Sequence, residues 1–93
     1  MKRVYVAQSQ YANEDCWETI DIFEEGSSAE ECIEKESEEY ITEALEGENV
    51  RKIKDDGDIV IERYVKPMGS NPGYWQYDKH YTVKSWNVKG KVS

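Results

Sequence analysis

GSSAEECIEKESEEYITEALEG, Gly26 to Gly47, is the stretch on which the reading of the fold turns. On either side of it the apolar residues alternate; inside it they recur every three or four positions. Ala29, Ile33, Tyr40 and Ala44 fall within one stripe at about 100° per residue, with Cys32 and Ile41 at its margins, as on an amphipathic helix. Ser28 followed by Glu31 matches a capping box, in which the hydroxyl serves the Glu31 N–H and the carboxylate returns to the cap; Ser27 with Glu30 offers the same one residue earlier. Glu30 and Glu31 suit the positive end of the helix dipole, whereas Glu46 sits at its unfavourable end. Gly47 supplies a left-handed stop. The pattern predicts a helix over 29–46 that packs through Ala29, Ile33, Tyr40, Ile41 and Ala44.

Working outward, the flanks read as strands. Residues 2–9 alternate, Val4 and Val6 on one face and Tyr5 and Ala7 on the other. Gln10 to Asp15 is polar and reads as a loop. Cys16 to Glu24 alternates again, with Ile20 and Ile22 opposed to Trp17, Thr19, Asp21 and Phe23, so the first two strands form an antiparallel pair. After Gly47, Val50 to Lys54 is a short basic strand. Asp56-Gly57 is a strong two-residue hairpin signal, and Ile59 to Val65 follows it. Residues 67–73 (PMGSNPG) form a loop. Tyr74 to Val88 gives one long strand or two shorter ones, with Tyr81 and Val83 opposed to Thr82, Lys84 and Trp86, and Lys89 to Ser93 fray. The order β-β-α-β-β-β predicts a single α+β domain: an antiparallel sheet of about five strands with one acidic helix on a face.

Composition sets the limits. Leu, Ile, Val and Phe number seventeen of 93 residues, a level that with high net charge raises the possibility of disorder. Three Trp and seven Tyr argue for a folded domain with an aromatic-rich core instead, since disordered acidic segments are poor in aromatics. The polar residues Gln8, Ser9 and Gln10 arrive too soon after Met1 for a signal-peptide core, and no apolar stretch approaches the ~20 residues of a membrane span. A cytoplasmic protein with Cys16 and Cys32 as reduced thiols is the expectation, although sequence alone also permits a disulfide between them.

Charge is distributed in blocks. Glu14 to Glu48 holds fifteen acidic residues and one basic, Lys35; residues 1–13 carry +2 and residues 49–93 carry +4, so the overall −8 conceals a block of −14. A field this dense selects a cationic partner and speeds encounter with it. Eight Glu lie between Glu30 and Glu46. On a helix of about 27 Å that is about one carboxylate per 3.5 Å of axis, against one phosphate per 3.4 Å along a DNA strand. Glu31, Glu34, Glu38, Glu39 and Glu46 share the solvent face, where like charges at i, i+3 and i+4 each cost about 0.2–0.5 kcal/mol. Solubility and the helix propensity of Glu also account for such a run.

Catalysis finds little support. His80 is the one histidine, set in a strand between Lys79 and Tyr81, and no Ser or Cys lies in a nucleophile-elbow context. Asp55, Asp56 and Asp58 around Gly57 lack the alternating ligands and closing Glu of a calcium loop, and a hairpin turn explains them. No phosphate-binding glycine loop is present. No enzyme activity, metal or cofactor is expected. From Arg63 to Ser93, six basic residues and one acid interleave with Tyr64, Tyr74, Trp75, Tyr77, Tyr81 and Trp86, a pattern found on single-strand nucleic-acid platforms. The net charge opposes a polyanion, and part of this set is needed to fill the core.

In size, in its lone Glu-rich helix and in its aromatic antiparallel sheet, the chain resembles the small acidic inhibitors of phages and mobile elements, such as anti-CRISPR and anti-restriction proteins that imitate DNA. The resemblance implies a non-catalytic protein in the host cytoplasm that occupies the Lys/Arg-rich groove of a nucleic-acid-binding defence protein, without binding nucleic acid or membrane itself. Glu31, Glu34, Glu38, Glu39 and Glu46 are then the partner-binding residues. The alternative is an accessory module that binds a protein through Tyr74, Trp75 and Tyr77 on its sheet, the helix serving only solvation.

Overall fold

A computed structural model describes residues 2–88 of the chain. Five strands and one helix follow in the order β1 (Lys2–Tyr11), β2 (Glu18–Phe23), α1 (Gly26–Ala44), β3 (Val50–Asp55), β4 (Asp58–Val65) and β5 (Tyr74–Val88). The strands form one antiparallel sheet in the order β2-β1-β5-β4-β3, and α1 lies across one face, an α+β fold. Tyr74 to Val88 is one strand, and it is central: β1 pairs with it from Lys2↔Val88 to Tyr11↔Lys79, and β4 from Ile59↔Tyr81 to Val65↔Tyr74. Beyond Tyr81, β5 is paired with β1 alone.

The core lies between helix and sheet. Ala7, Ile59, Ile61 and Tyr81 supply the sheet side, Ile33 the helix, and Leu45 closes the end just past it. Ile33 and Ile61 are at most 1% exposed and contribute roughly 1.5–3 kcal/mol each by burial. The β3–β4 hairpin turns on Asp56 and Gly57 with φ of 50° and 87°, the paired positive values of a type I′ turn, whose twist matches that of the strands it joins.

Several sequence expectations are corrected at the level of single residues. The helix begins at Gly26 and ends at Ala44, not over 29–46. Glu25 stands at the N-cap with extended backbone and no side-chain cap bond, so Ser27 and Ser28 lie inside the first turn and neither capping box forms. Packing accounts for the earlier start: a Cβ on Gly26 would come within 3.2 Å of the Tyr5 ring, so the chain enters the helix flat against β1. Glu30 and Glu31 consequently miss the first turn and its dipole. Ala44, expected in the apolar stripe, is exposed, and Leu45 is buried in its place as the helix ends. Ser37 is fully buried against the sheet, its hydroxyl donating to the Glu34 carbonyl at 2.7 Å. Gly47 does take the expected left-handed conformation, with φ of 80°.

Two bulges redistribute side chains between the faces. β2 carries one extra residue, Ile20, between the pairs Ala7↔Asp21 and Gln8↔Thr19. Ile20 therefore packs on the core with Phe23, while Ile22, expected beside it, stands 59% exposed on the opposite face. β5 carries Asp78 as the extra residue between Ile61↔Lys79 and Glu62↔Tyr77. Gln10 and Tyr11, expected in a loop, extend β1 because β5 is long enough to pair with them.

Candidate functional site

Two surfaces concentrate the chemistry, one on each side of the sheet. The first is the acidic layer built by α1. Lys52 and Lys54 project from edge strand β3 towards the helix and neutralise one flank of it. The Lys52 ammonium donates to Glu34 and, at 2.6 Å, to Glu38; Lys54 reaches Glu34 at 2.8 Å. Hydrogen bonds to these two lysines hold the Glu34 carboxyl below the usual carboxylate range. Burial works to lower the pKa of Lys52, but its bonds to Glu34 and Glu38 outweigh that, and the net shift is upward.

The five proposed partner-binding carboxylates thus fall into two groups. Glu31, Glu39 and Glu46 are exposed, Glu39 reaching Lys35 only at 4.0 Å. Glu34 is half-buried and, with the exposed Glu38, already engaged by cations of the same chain. Among the described residues, Glu30, Glu31, Glu36, Glu43 and Glu46 make no ion pair: Glu30 and Glu31 face the β3–β4 hairpin, Glu36 lies beside Cys32 on the β2 side, and Glu46 stands just past the end of the helix. A groove of about 870 Å³ runs between α1 and the β3–β4 hairpin. Ile33 and Ile59 form its floor, and Glu30, Glu31, Glu34 and Glu38 line the helix side. Cys32, on the β2 side, has its thiol pushed up by burial and by the nearby Glu36 and Asp21, which keeps it protonated; Cys16 and Cys32 are both free thiols.

The second surface is the sheet face away from the helix. Trp17, Ile22, Ile53, Trp75, Tyr77 and Trp86 are each at least 36% exposed, and the strand alternation brings them to this side with Val4, Val6 and Val60. Trp75 stacks edge-on with Tyr64 and carries the Arg51 guanidinium 4.4 Å above its ring. Arg51 is itself paired with Glu62 at 2.6 Å. His80 lies between Trp17 and Tyr77, ring centres 5.1 and 6.4 Å away, with Nε2 at 2.9 Å from the Asp58 carboxylate. Thr82 donates to the other oxygen of Asp58 at 2.7 Å. The Asp58 carboxylate, one of the cluster around Gly57, is thus committed to two side chains of β5. Of the alternative partner-binding set, Trp75 and Tyr77 lie on this face, while Tyr74, 55% exposed, lines a separate hollow with Arg63 and Lys66.

Between the surfaces lies a feature that sequence patterning does not reveal. Lys79 is buried on the helix side of β5 with its ammonium over the rings of Tyr11, Tyr40 and Tyr81, at 4.1, 4.6 and 5.2 Å. Tyr40 donates its hydroxyl to Asp78, and burial together with that bond pushes the phenol well above its ordinary range. The bulge at Asp78 makes this possible, since it lets successive residues Asp78 and Lys79 both serve the helix side. Compared with family models, with curated proteins and with solved structures, the chain matches none.

Proposed function

We propose that the chain is a non-enzymatic binding protein, an inhibitor of the phage type whose acidic layer imitates nucleic-acid phosphates. It occupies the basic groove of a nucleic-acid-binding protein, such as a CRISPR effector, in the host cytoplasm. The observation that carries this reading is the groove beside α1. Its apolar floor at Ile33 and Ile59 suits the aliphatic stem of a lysine or arginine, and Glu30 and Glu31 on its rim, without ion pairs among the described residues, suit the charged head. Glu31, Glu39 and Glu46 supply outward charge for encounter, while Glu34 and Glu38 contribute less because Lys52 and Lys54 already answer them.

The test pairs capture with competition. The tagged protein is exposed to bacterial lysate with and without 0.5 M salt, and each captured protein is assayed for displacement of labelled duplex DNA. Changing Glu31, Glu39 and Glu46 together to Gln should leave folding intact and weaken displacement by about two orders of magnitude, through loss of three charges that face the partner. Changing Glu34 and Glu38 instead should weaken it far less. A triple variant that displaces DNA as well as the parent would remove the phosphate-mimic reading and leave the open sheet face as the contact surface.

A further inference from the structure

We infer that the open face of the sheet is covered by the same face of a second copy of this chain, giving a symmetric dimer with two sheets inside and two acidic helices outside. An antiparallel sheet with one wet face presents polar residues there. This one presents Trp17, Ile22, Ile53, Trp75, Tyr77 and Trp86, a patch of the kind that marks an association surface. Aromatics are the residues enriched at interface centres.

Charge selects the occupant. The face carries Lys2, Arg51 and Lys84 against Glu24, Asp55, Asp58 and Glu62, close to balance, in a chain whose formal charge is −8. Arg51 is already paired with Glu62 at 2.6 Å, and Asp58 with His80 at 2.9 Å and Thr82 at 2.7 Å. With Lys84 and Asp55 the exceptions, the charges of this face are answered from within, which leaves a polyanion or a basic groove little to bind. It can meet its own copy without like charges opposing each other, which a two-fold interface requires. The acidic layers do not prevent this. With sheets stacked about 10 Å apart and a helix about 10 Å outside each, the two α1 axes lie about 30 Å apart, three Debye lengths at 0.1 M salt.

The size also fits. Five strands at about 4.8 Å spacing, with about 45 residues in all at about 3.3 Å each, give a flat footprint of about 700 Å², close to the ~800 Å² per partner of a standard interface. The inference stands independently of the proposed function, because it concerns the opposite side of the sheet.

Sedimentation equilibrium across protein concentrations tests it, in 0.1 M and in 0.5 M salt. The chain of 10.9 kDa should sediment at twice that mass, and the dimer should survive the higher salt because burial of apolar surface holds it. Ile22→Glu and Tyr77→Glu, made separately, alter exposed positions, and each should weaken the dimer by at least about tenfold while circular dichroism stays that of the parent. A monomer at every concentration overturns the inference, as does a dimer that both substitutions leave intact. A monomer whose tryptophan fluorescence is quenched on adding oligo-dT also overturns it and assigns the face to single-stranded nucleic acid.

Discussion

Replacing Lys52 with Met removes the cation that ties the acidic helix to the edge of the sheet. Lys52 is 15% exposed at its side chain and bonded to both Glu34 and Glu38. Two ion pairs at this partly screened site contribute about 0.5–1 kcal/mol each, and removing the ammonium also uncovers the i, i+4 repulsion of Glu34 and Glu38, about 0.2–0.5 kcal/mol. Against this, the methionine no longer pays to desolvate an ammonium, so the net loss is about 1 kcal/mol. With a urea slope of about 1 kcal/mol per molar, the unfolding midpoint should fall by about 1 M. The pH dependence has a definite sign. The Glu34 carboxyl is lowered in the folded protein, so its contribution is full above the unfolded carboxylate pKa and is lost as pH falls through the folded value. The Lys52 ammonium is raised, so its contribution is full below the unfolded lysine pKa and disappears as pH climbs through the raised one. Parent and variant should therefore differ most between about pH 5 and 10 and converge in acid. In the background of Glu34→Gln with Glu38→Gln, the same replacement should cost almost nothing. Equal midpoints at pH 7, or a gap that persists undiminished into strong acid, would refute the assignment of Lys52 as the helix-to-sheet tie.

Gly73→Ala places a Cβ 2.0 Å from the Tyr64 hydroxyl oxygen and 2.5 Å from its ring, so the loop must shift or Tyr64 must leave Trp75. A loss of about 1–3 kcal/mol with a changed tryptophan emission is expected, and Tyr64→Ala should recover part of that penalty. Asp78→Asn removes the carboxylate that accepts from Tyr40; ultraviolet titration should show the Tyr40 phenol ionising at lower pH than in the parent, though burial keeps it above the ordinary value.

The helix, the hairpin at Asp56-Gly57 and the existence of each strand were legible because each is written in neighbouring residues. What escaped depends on neighbours distant in sequence. Lys52 and Lys54 answer Glu34 and Glu38 because β3 lies at the sheet edge beside the helix, and no local pattern encodes that strand order. The Ser37 hydroxyl reads as surface but is absorbed by the helix's own carbonyl, so it buries at little cost. Ile20 and Ile22 read as one face until a bulge opposite Ala7 and Gln8 divides them. Of the acidic site, the density of charge was legible, while its partition into answered and open carboxylates was not. Tyr74, Trp75 and Tyr77 were legible as aromatic strand residues, but which of them share the open face depends on the bulge at Asp78.

The place of β5 in the sheet also governs how the chain can fold. The last of the described strands is the one on which both halves depend, since β1 and β4 each pair with it and not with one another. The pair Lys2↔Val88 spans nearly the whole described chain, so the loop-closure cost of joining β1 to β5 must be met before the longest ladder of the sheet forms. High contact order of this kind slows folding into the millisecond-to-second range. On the ribosome, β1, β2 and α1 emerge without the strand that would hold them together, and the nascent chain leaves Trp17 and the isoleucines around it open to solvent or to a chaperone. The density of glutamate in that same stretch then has a second use before folding is complete: it keeps an unfinished sheet from meeting another of its kind.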